Sequence, residues 1–156
     1  MDYAIYDTHF GTVKIGYTDK FIIHLDLETH ENTNNRGTTS KLSDLAYSQL
    51  TEYFEGQRKV FDFPYKMQGT DFQKKVWKAL CDIPYGETRS YKDIAIVVGN
   101  PKASRAVGMA NNRNRLLFVV PCHRVIGANG SLVGYAGGLE MKTTLLELER
   151  KYKDKL

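Results

Sequence analysis

Polar and apolar positions near the start of the chain fall into three short runs. Tyr3-Ala4-Ile5-Tyr6, Thr12-Val13-Lys14-Ile15-Gly16-Tyr17 and Phe21-Ile22-Ile23-His24-Leu25 are rich in β-branched and aromatic residues. Gly11 and the polar turn Thr18-Asp19-Lys20 separate them. This pattern predicts three antiparallel strands. Residues 28–39, rich in Asn and Thr, read as an exposed loop. From Ser40 or Ser43 the period changes. Leu42, Leu45, Ala46, Gln49, Leu50, Tyr53 and Phe54 form a stripe at helical spacing, closed by Gly56. Val60-Phe61-Asp62-Phe63-Pro64 leads out of this first unit.

The second half reads as mostly helical. Thr70 suits an N-cap, and Phe72, Val76, Trp77, Ala79 and Leu80 mark the helix behind it, with Cys81 expected as a packed thiol at its end. Ile83-Pro84-Tyr85-Gly86 is a turn. Ser90 caps a helix over 91–98 with Ile94, Ala95 and Val98 inward, and Gly99-Asn100-Pro101 ends it. The next helix spans 102–112, with Ala103, Ala106, Val107 and Ala110 as its core stripe. Two short helices joined by a glycine-bearing turn are a helix-turn-helix candidate. Lys102, Ser104, Arg105, Gly108, Asn111, Asn112 and Arg113 lie off the apolar stripe, a mix that suits approach to a sugar-phosphate backbone. Leu116-Leu117-Phe118-Val119-Val120 reads as a buried strand stopped by Pro121. A glycine-rich loop over 132–138 matches no nucleotide-binding spacing. A last helix over 139–153 is expected to bury Leu139, Leu145, Leu146 and Leu148, and the tail 151–155 is expected to fray.

Composition narrows the class. The chain has 156 residues, is 42% hydrophobic and 26% charged, which suits one packed domain or two small ones. No apolar run has the length of a membrane span. The first six residues lack the basic start and apolar core of an export signal, so a cytoplasmic setting with reduced thiols is expected. Neither the two cysteines nor His9, His24 and His30 have metal-ligand spacing, so no metal is expected. Charge is uneven. Residues 1–66 carry 7 Lys/Arg against 10 Asp/Glu, a net of −3, and residues 67–156 carry 15 against 8, a net of +7. The basic second half points to a polyanion such as nucleic acid, although a solvated basic surface has the same signature.

The candidate chemistry is in Pro121-Cys122-His123-Arg124-Val125. A thiol beside a base and a fixed positive charge is where a thiolate is favoured. A structural buried thiol is the alternative reading of the same residues. Glu149 lies near the end of the last helix. It either reaches inward or, as is usual for a helix carboxylate, faces solvent.

Several stretches, taken in order, resemble the O6-alkylguanine-DNA alkyltransferases (methylated-DNA–protein-cysteine methyltransferases). They are Phe72-Gln73-Lys74-Lys75-Val76-Trp77, Ile83-Pro84-Tyr85-Gly86-Glu87-Thr88, Ser90-Tyr91, Gly99-Asn100-Pro101-Lys102-Ala103 and Arg105-Ala106-Val107-Gly108. Pro121-Cys122-His123-Arg124-Val125-Ile126 and Gly134-Tyr135-Ala136-Gly137-Gly138-Leu139 complete the set. Gln49-Leu50, Tyr53-Phe54 and Gly56 match the family's N-terminal domain.

The resemblance implies an α/β (α+β) protein. Residues 1–66 would form a small ribonuclease-H-like mixed domain, and 67–156 a mostly helical, winged-helix-like domain with the helix-turn-helix. It implies DNA repair without a cofactor. The methyl or other alkyl group of O6-alkylguanine in double-stranded DNA, and in some cases of O4-methylthymine, would pass once and irreversibly to Cys122. His123 would take the thiol proton through a water, Glu149 would orient the imidazole, and Asn114 would bridge the recognition helix and the cysteine segment. A monomer would enter the minor groove through Ser90, Tyr91, Lys102, Ala103, Ser104, Arg105 and Gly108, with Arg105 filling the space left by the flipped base. Tyr91, Val125, Tyr135 and Ala136 would line the base pocket, and the carbonyls of Cys122 and Val125 would read the guanine amine. Arg115-Leu116-Leu117 stands where the family commonly has prolines, and Met109 stands at an often small position. A lesion-binding relative without catalysis is the alternative, against which Cys122 argues. A thiol hydrolase using Cys122, His123 and Glu149 is a third.

Overall fold

The structure is a computed structural model that describes residues 2–28, 35–135 and 137–155. The chain divides into two units, Met1–Gln68 and Gly69–Leu156, each packed around its own interior.

In the first unit, β1 (Asp2–Thr8), β2 (Gly11–Tyr17) and β3 (Ile22–Leu27) form an antiparallel sheet in sequence order. The register pairs Ala4 with Ile15 and Ile15 with Leu25, so one apolar face is continuous across the sheet. Ala4, Val13, Ile15, Ile22 and Leu25 are buried there, together with Ala46, Leu50 and Tyr53 of α1 (Lys41–Phe54). Ser40 starts α1 with a capping box: its hydroxyl accepts the Ser43 N–H, and the Ser43 hydroxyl accepts the Ser40 N–H. Ser43 takes an inward place, whereas Leu45, expected in the stripe, is exposed. The Tyr6 hydroxyl reaches Ser43 Oγ (2.8 Å) and Asp44 Oδ1 (2.7 Å), which pins the helix start to the sheet. Gly37 (φ +70°) lies against Tyr3, where a Cβ would sit 2.0 Å from the Tyr3 carbonyl oxygen. Only glycine permits that approach. Of the loop expected over 28–39, residues 29–34, including His30, lie outside the described residues.

The second unit contains α2 (Asp71–Cys81), α3 (Tyr91–Val97), α4 (Ser104–Asn112) and α5 (Leu139–Tyr152). Thr70 with Gln73 and Ser90 with Asp93 form capping boxes on α2 and α3. The Trp77 indole N–H donates to the Ala110 carbonyl (2.9 Å), tying α2 to α4. A two-residue parallel pair, β4 (Arg89–Ser90) with β5 (Val125–Ile126), joins the start of α3 to the end of the cysteine segment. No helix among the described residues is long and apolar enough to cross a membrane.

In the second unit five expectations change. Residues 116–120 are buried but form no strand: Leu116 makes a lone β-bridge, 117–119 form a turn and Val120 a bend. Their backbone bonds close locally, Val120 N–H to Leu116 O and Val119 N–H to Leu117 O, and Phe118 takes φ +72°. On α4, Ala106 is exposed and Asn111 is buried, so the inward stripe is Ala103, Val107, Ala110 and Asn111. On α5, Leu139 is exposed and Leu148 half-buried, while Lys142 and Glu149 are buried with Leu145 and Leu146. Cys81 is exposed at the end of α2. Lys151 and Tyr152, expected to fray, continue the helix.

Candidate active site

The cysteine segment is a single 3₁₀ turn, Cys122–Arg124, set after the buried run 116–120. Pro121 precedes the turn, and its carbonyl accepts the Arg124 N–H (2.9 Å). The turn places three side chains inward within one short stretch. Cys122 and His123 have 0% exposure and Arg124 has 7%.

Asn114 builds the floor beneath the thiol. Its Oδ1 accepts the Leu116 N–H (2.9 Å), and its Nδ2 donates to Val120 O (2.9 Å). The same nitrogen lies 3.3 Å from Leu116 O and 3.3 Å from Cys122 Sγ. These bonds satisfy the backbone that a neighbouring strand would otherwise have paired. They also offer a donor to the sulfur, which favours its anion. Asn111 of α4 donates from Nδ2 to the Cys122 carbonyl (3.3 Å).

Glu149 faces inward from α5 and is fully buried. His123 Nε2 meets Oε2 at 2.7 Å. Arg124 clamps both oxygens, Nε to Oε1 at 2.8 Å and a terminal guanidinium nitrogen to Oε2 at 3.0 Å. The Gly86 N–H adds a fourth contact, at 3.0 Å to Oε1. The other terminal nitrogen of Arg124 donates to Ile83 O (2.8 Å). Burial works against the charge on Glu149, but the hydrogen bonds from His123 and Arg124, with the Arg124 charge, outweigh it and hold the carboxyl well below the usual range. Burial lowers the His123 pKa. Glu149 opposes this, while the Arg124 and Lys142 charges reinforce it, so the imidazole rests neutral and able to accept a proton. The Arg124 guanidinium also lies 5.6 Å from the centre of the Tyr85 ring. Burial, then the Glu149 charge, pushes the Tyr85 phenol up to about 12.

The turn therefore holds Cys122, His123 and Val125 together with Asn114 and Glu149. Tyr135 is buried with its ring edge-on to His123, centroids 6.3 Å apart. The Tyr91 hydroxyl donates to Val133 O (2.7 Å), and Gly108 lies against the Tyr91 ring, where a Cβ would stand 3.8 Å away. Ala136 lies outside the described residues. The remaining candidates are spread over the helix-turn-helix. Lys102 and Arg105 are exposed, Ser104 and Gly108 half-buried, and Ala103 is buried with its methyl inward. The Ser90 hydroxyl is engaged in its cap, accepting the Asp93 N–H (3.0 Å).

Sequence reasoning missed Arg124 as the clamp on Glu149, missed Lys142, and placed Asn111 on the backbone-facing side of its helix, whereas it is buried against the Cys122 carbonyl. A signal existed for Lys142. Lys142, Leu145, Leu146 and Glu149 stand at i, i+3, i+4 and i+7, so both charges share the apolar face of α5.

Comparison with known proteins gives one family for both units. The family model described as "6-O-methylguanine DNA methyltransferase, ribonuclease-like domain" matches residues 1–67. The one described as "6-O-methylguanine DNA methyltransferase, DNA binding domain" matches residues 71–151. A Methanosarcina barkeri protein named methylated-DNA–protein-cysteine methyltransferase is 47% identical over 153 residues, covering 96% of this chain and 97% of that one. A Bacillus subtilis constitutive protein of the same name is 56% identical over 130 residues, covering 82% of this chain and 78% of its own. Among solved structures, Mycobacterium tuberculosis OGT in complex with DNA is similar with a TM-score of 0.88 and 43% identity, covering 96% of this chain and 93% of that one.

Proposed function

The chain belongs to the 6-O-methylguanine DNA methyltransferase family, DNA-repair proteins that move an alkyl group onto a cysteine, and we propose that this cysteine is Cys122. A free thiol of pKa about 8.5 is mostly protonated at neutral pH, and the thiolate is the nucleophile. His123 Nε2 is committed to Glu149, so Nδ1 is the nitrogen that accepts the thiol proton, through a water. Glu149 supports the imidazolium that forms, and Arg124 with the Gly86 N–H keeps that carboxylate in place. The Asn114 amide donates to the developing thiolate. The sulfur attacks the alkyl carbon, the carbon–oxygen bond breaks, and guanine leaves with the electron pair. The thioether stays on the protein, so each molecule acts once.

The target atom lies inside a base pair, so the nucleotide must leave the stack. Arg105 stands on the exposed face of α4, opposite Val107 and Asn111, where it can occupy the space left in the duplex. Tyr91, Val125, Tyr135 and Ala136 form the receiving pocket in this reading. Ser90, Lys102, Ser104 and Gly108 meet the minor groove, with Ala103 contributing backbone only. The cytoplasm, where the chromosome of a prokaryotic relative lies, is the setting in which this activity is used.

The observation that carries the proposal is the fully buried thiol at an amide donor, in a turn whose next residue is locked to a buried carboxylate. Incubation with duplex DNA holding O6-methylguanine, followed by mass analysis, tests it. One methyl group should appear on the peptide containing Cys122, and Cys122→Ala should bind the duplex without gaining mass. A methyl group on Cys81, or none at all, overturns the assignment.

A further inference from the structure

Lys142 has no part in the chemistry above, yet its side chain is completely buried. Its ammonium gives a hydrogen bond to each of three backbone carbonyls: Val125 O (2.5 Å), Val133 O (3.0 Å) and Gly134 O (3.1 Å). All three of its protons are thereby used, and the acceptors come from two segments that are apart in sequence. An apolar residue would fill this space without the desolvation cost of a charge, so packing alone does not account for a lysine. The three carbonyls flank the residues assigned to the base. Val125 carries one of the two carbonyls that would read the guanine amine, and Gly134 directly precedes Tyr135. The Tyr91 hydroxyl donates to the same Val133 carbonyl as Lys142, so a second pocket residue is tied into the set. The other amine-reading carbonyl, that of Cys122, accepts the Val125 N–H and the Asn111 amide. Lys142 and Glu149 project from one face of α5, and the two serve the opposite needs of one site.

We propose that Lys142 is a positioning residue for guanine recognition: its ammonium anchors the Val125 carbonyl to the Val133–Gly134 segment, so that the acceptor for the exocyclic amine keeps its place when the base enters. This rests on the reading above, in which the Val125 carbonyl accepts from that amine.

The test compares two duplexes, one with O6-methylguanine and one with O6-methylhypoxanthine, which lacks only the exocyclic amine. Wild-type protein should alkylate itself faster from the guanine duplex, by about 10-fold or more. Lys142→Met should shrink that ratio by about 5-fold, by slowing the guanine reaction and leaving the other nearly unchanged. A purely structural role would slow both equally, and that result, or an unchanged ratio, overturns the proposal.

A second measurement needs no variant. Burial pushes the Lys142 ammonium down to about 8, with the Cys122 charge opposing. Above that pH a neutral amine has two protons for three carbonyls, so the wild-type ratio should narrow between pH about 7 and about 9. Cys122 and His123 on the turn, Tyr91 on α3, Tyr135 beside Gly134 and Glu149 further along α5 are ionisable groups of the same site. Their titration affects both duplexes alike and cancels in the ratio. Neither alkylated base has an N1 proton to lose in this range. A ratio independent of pH overturns the proposal even if Lys142→Met fails to fold. Wild-type protein that reacts equally with both duplexes also overturns it, while leaving the transfer reaction intact. Absence of any adduct on Cys122 is the separate failure of the functional reading, and this inference falls with it.

Discussion

The two units bury different kinds of residue. In the first, the buried interior is aliphatic and aromatic, and among the described residues its buried polar side chains are Ser43 and Gln49. Each is satisfied locally: Ser43 by Ser40 and Tyr6, Gln49 by Asp62. The second unit buries Asn111, Asn114, His123, Arg124, Lys142 and Glu149. A buried polar network contributes little net stability over an apolar core and fails badly when one member is removed. Its presence in one half alone marks where fixed geometry is needed for chemistry. The first unit does not bear that constraint, and its interior resembles that of an ordinary small α/β fold.

The contrast can be broken most forcefully at Glu149. Glu149→Gln leaves Arg124 without its carboxylate and His123 without its partner, so the second unit should lose about 3–5 kcal/mol. The Cys122 transfer rate should fall as well. Denaturant unfolding, with hydrogen exchange resolved to each unit, measures the first effect, and the alkylated-duplex assay measures the second. An unchanged midpoint would mean that the clamp is not holding the unit together.

The opposite substitution is Leu50→Ala, in the apolar interior of the first unit. It should cost about 2–5 kcal/mol, located by hydrogen exchange in residues 2–68. Alkyl transfer at Cys122, measured below the unfolding transition, should be unaltered. A parallel fall in transfer would show that the two interiors are not separable in function.

The mildest lever is acid. His123 in the fold binds its proton less readily than an unfolded histidine at about 6.5, so the unfolded chain binds more protons below that pH. Stability from this group is present above about 6.5 and is lost as pH falls. Glu149 is held below its ordinary value of 4.5, so its contribution is likewise present at neutral pH and lost as pH drops below that value. Protection of amides in the second unit should therefore decline earlier on acidification than that of the sheet and α1. Equal decline in both units would remove the electrostatic side of the comparison.

Much of this was legible from local rules. Thr70 and Ser90 announced their helices because a capping hydroxyl acts within one turn of its own residue. The three strands followed from alternation and turn chemistry. Tertiary context decided the rest. Leu116–Val120 has the composition of a strand, but Asn114 supplies the backbone partners that a sheet would have given. That substitution is visible only once the amide is seen to reach Val120. Ala106 and Asn111 exchanged places because the interior of α4 turned towards the Cys122 carbonyl, which rewards an amide over a methyl. Cys122 and His123 stood out as a thiol beside a base, and the family resemblance supplied their roles and that of Glu149, whereas their shared burial and the Arg124 clamp depend on how α5 packs on the turn. No local pattern encodes that packing.

The two cysteines lie at opposite extremes of accessibility, Cys81 at the surface and Cys122 with none. A protein that can react only once has most to lose from stray oxidants and electrophiles. Dissolved reagents would meet the exposed sulfur first, and under the proposed reaction the other would stay in reserve until a damaged nucleotide is delivered to it.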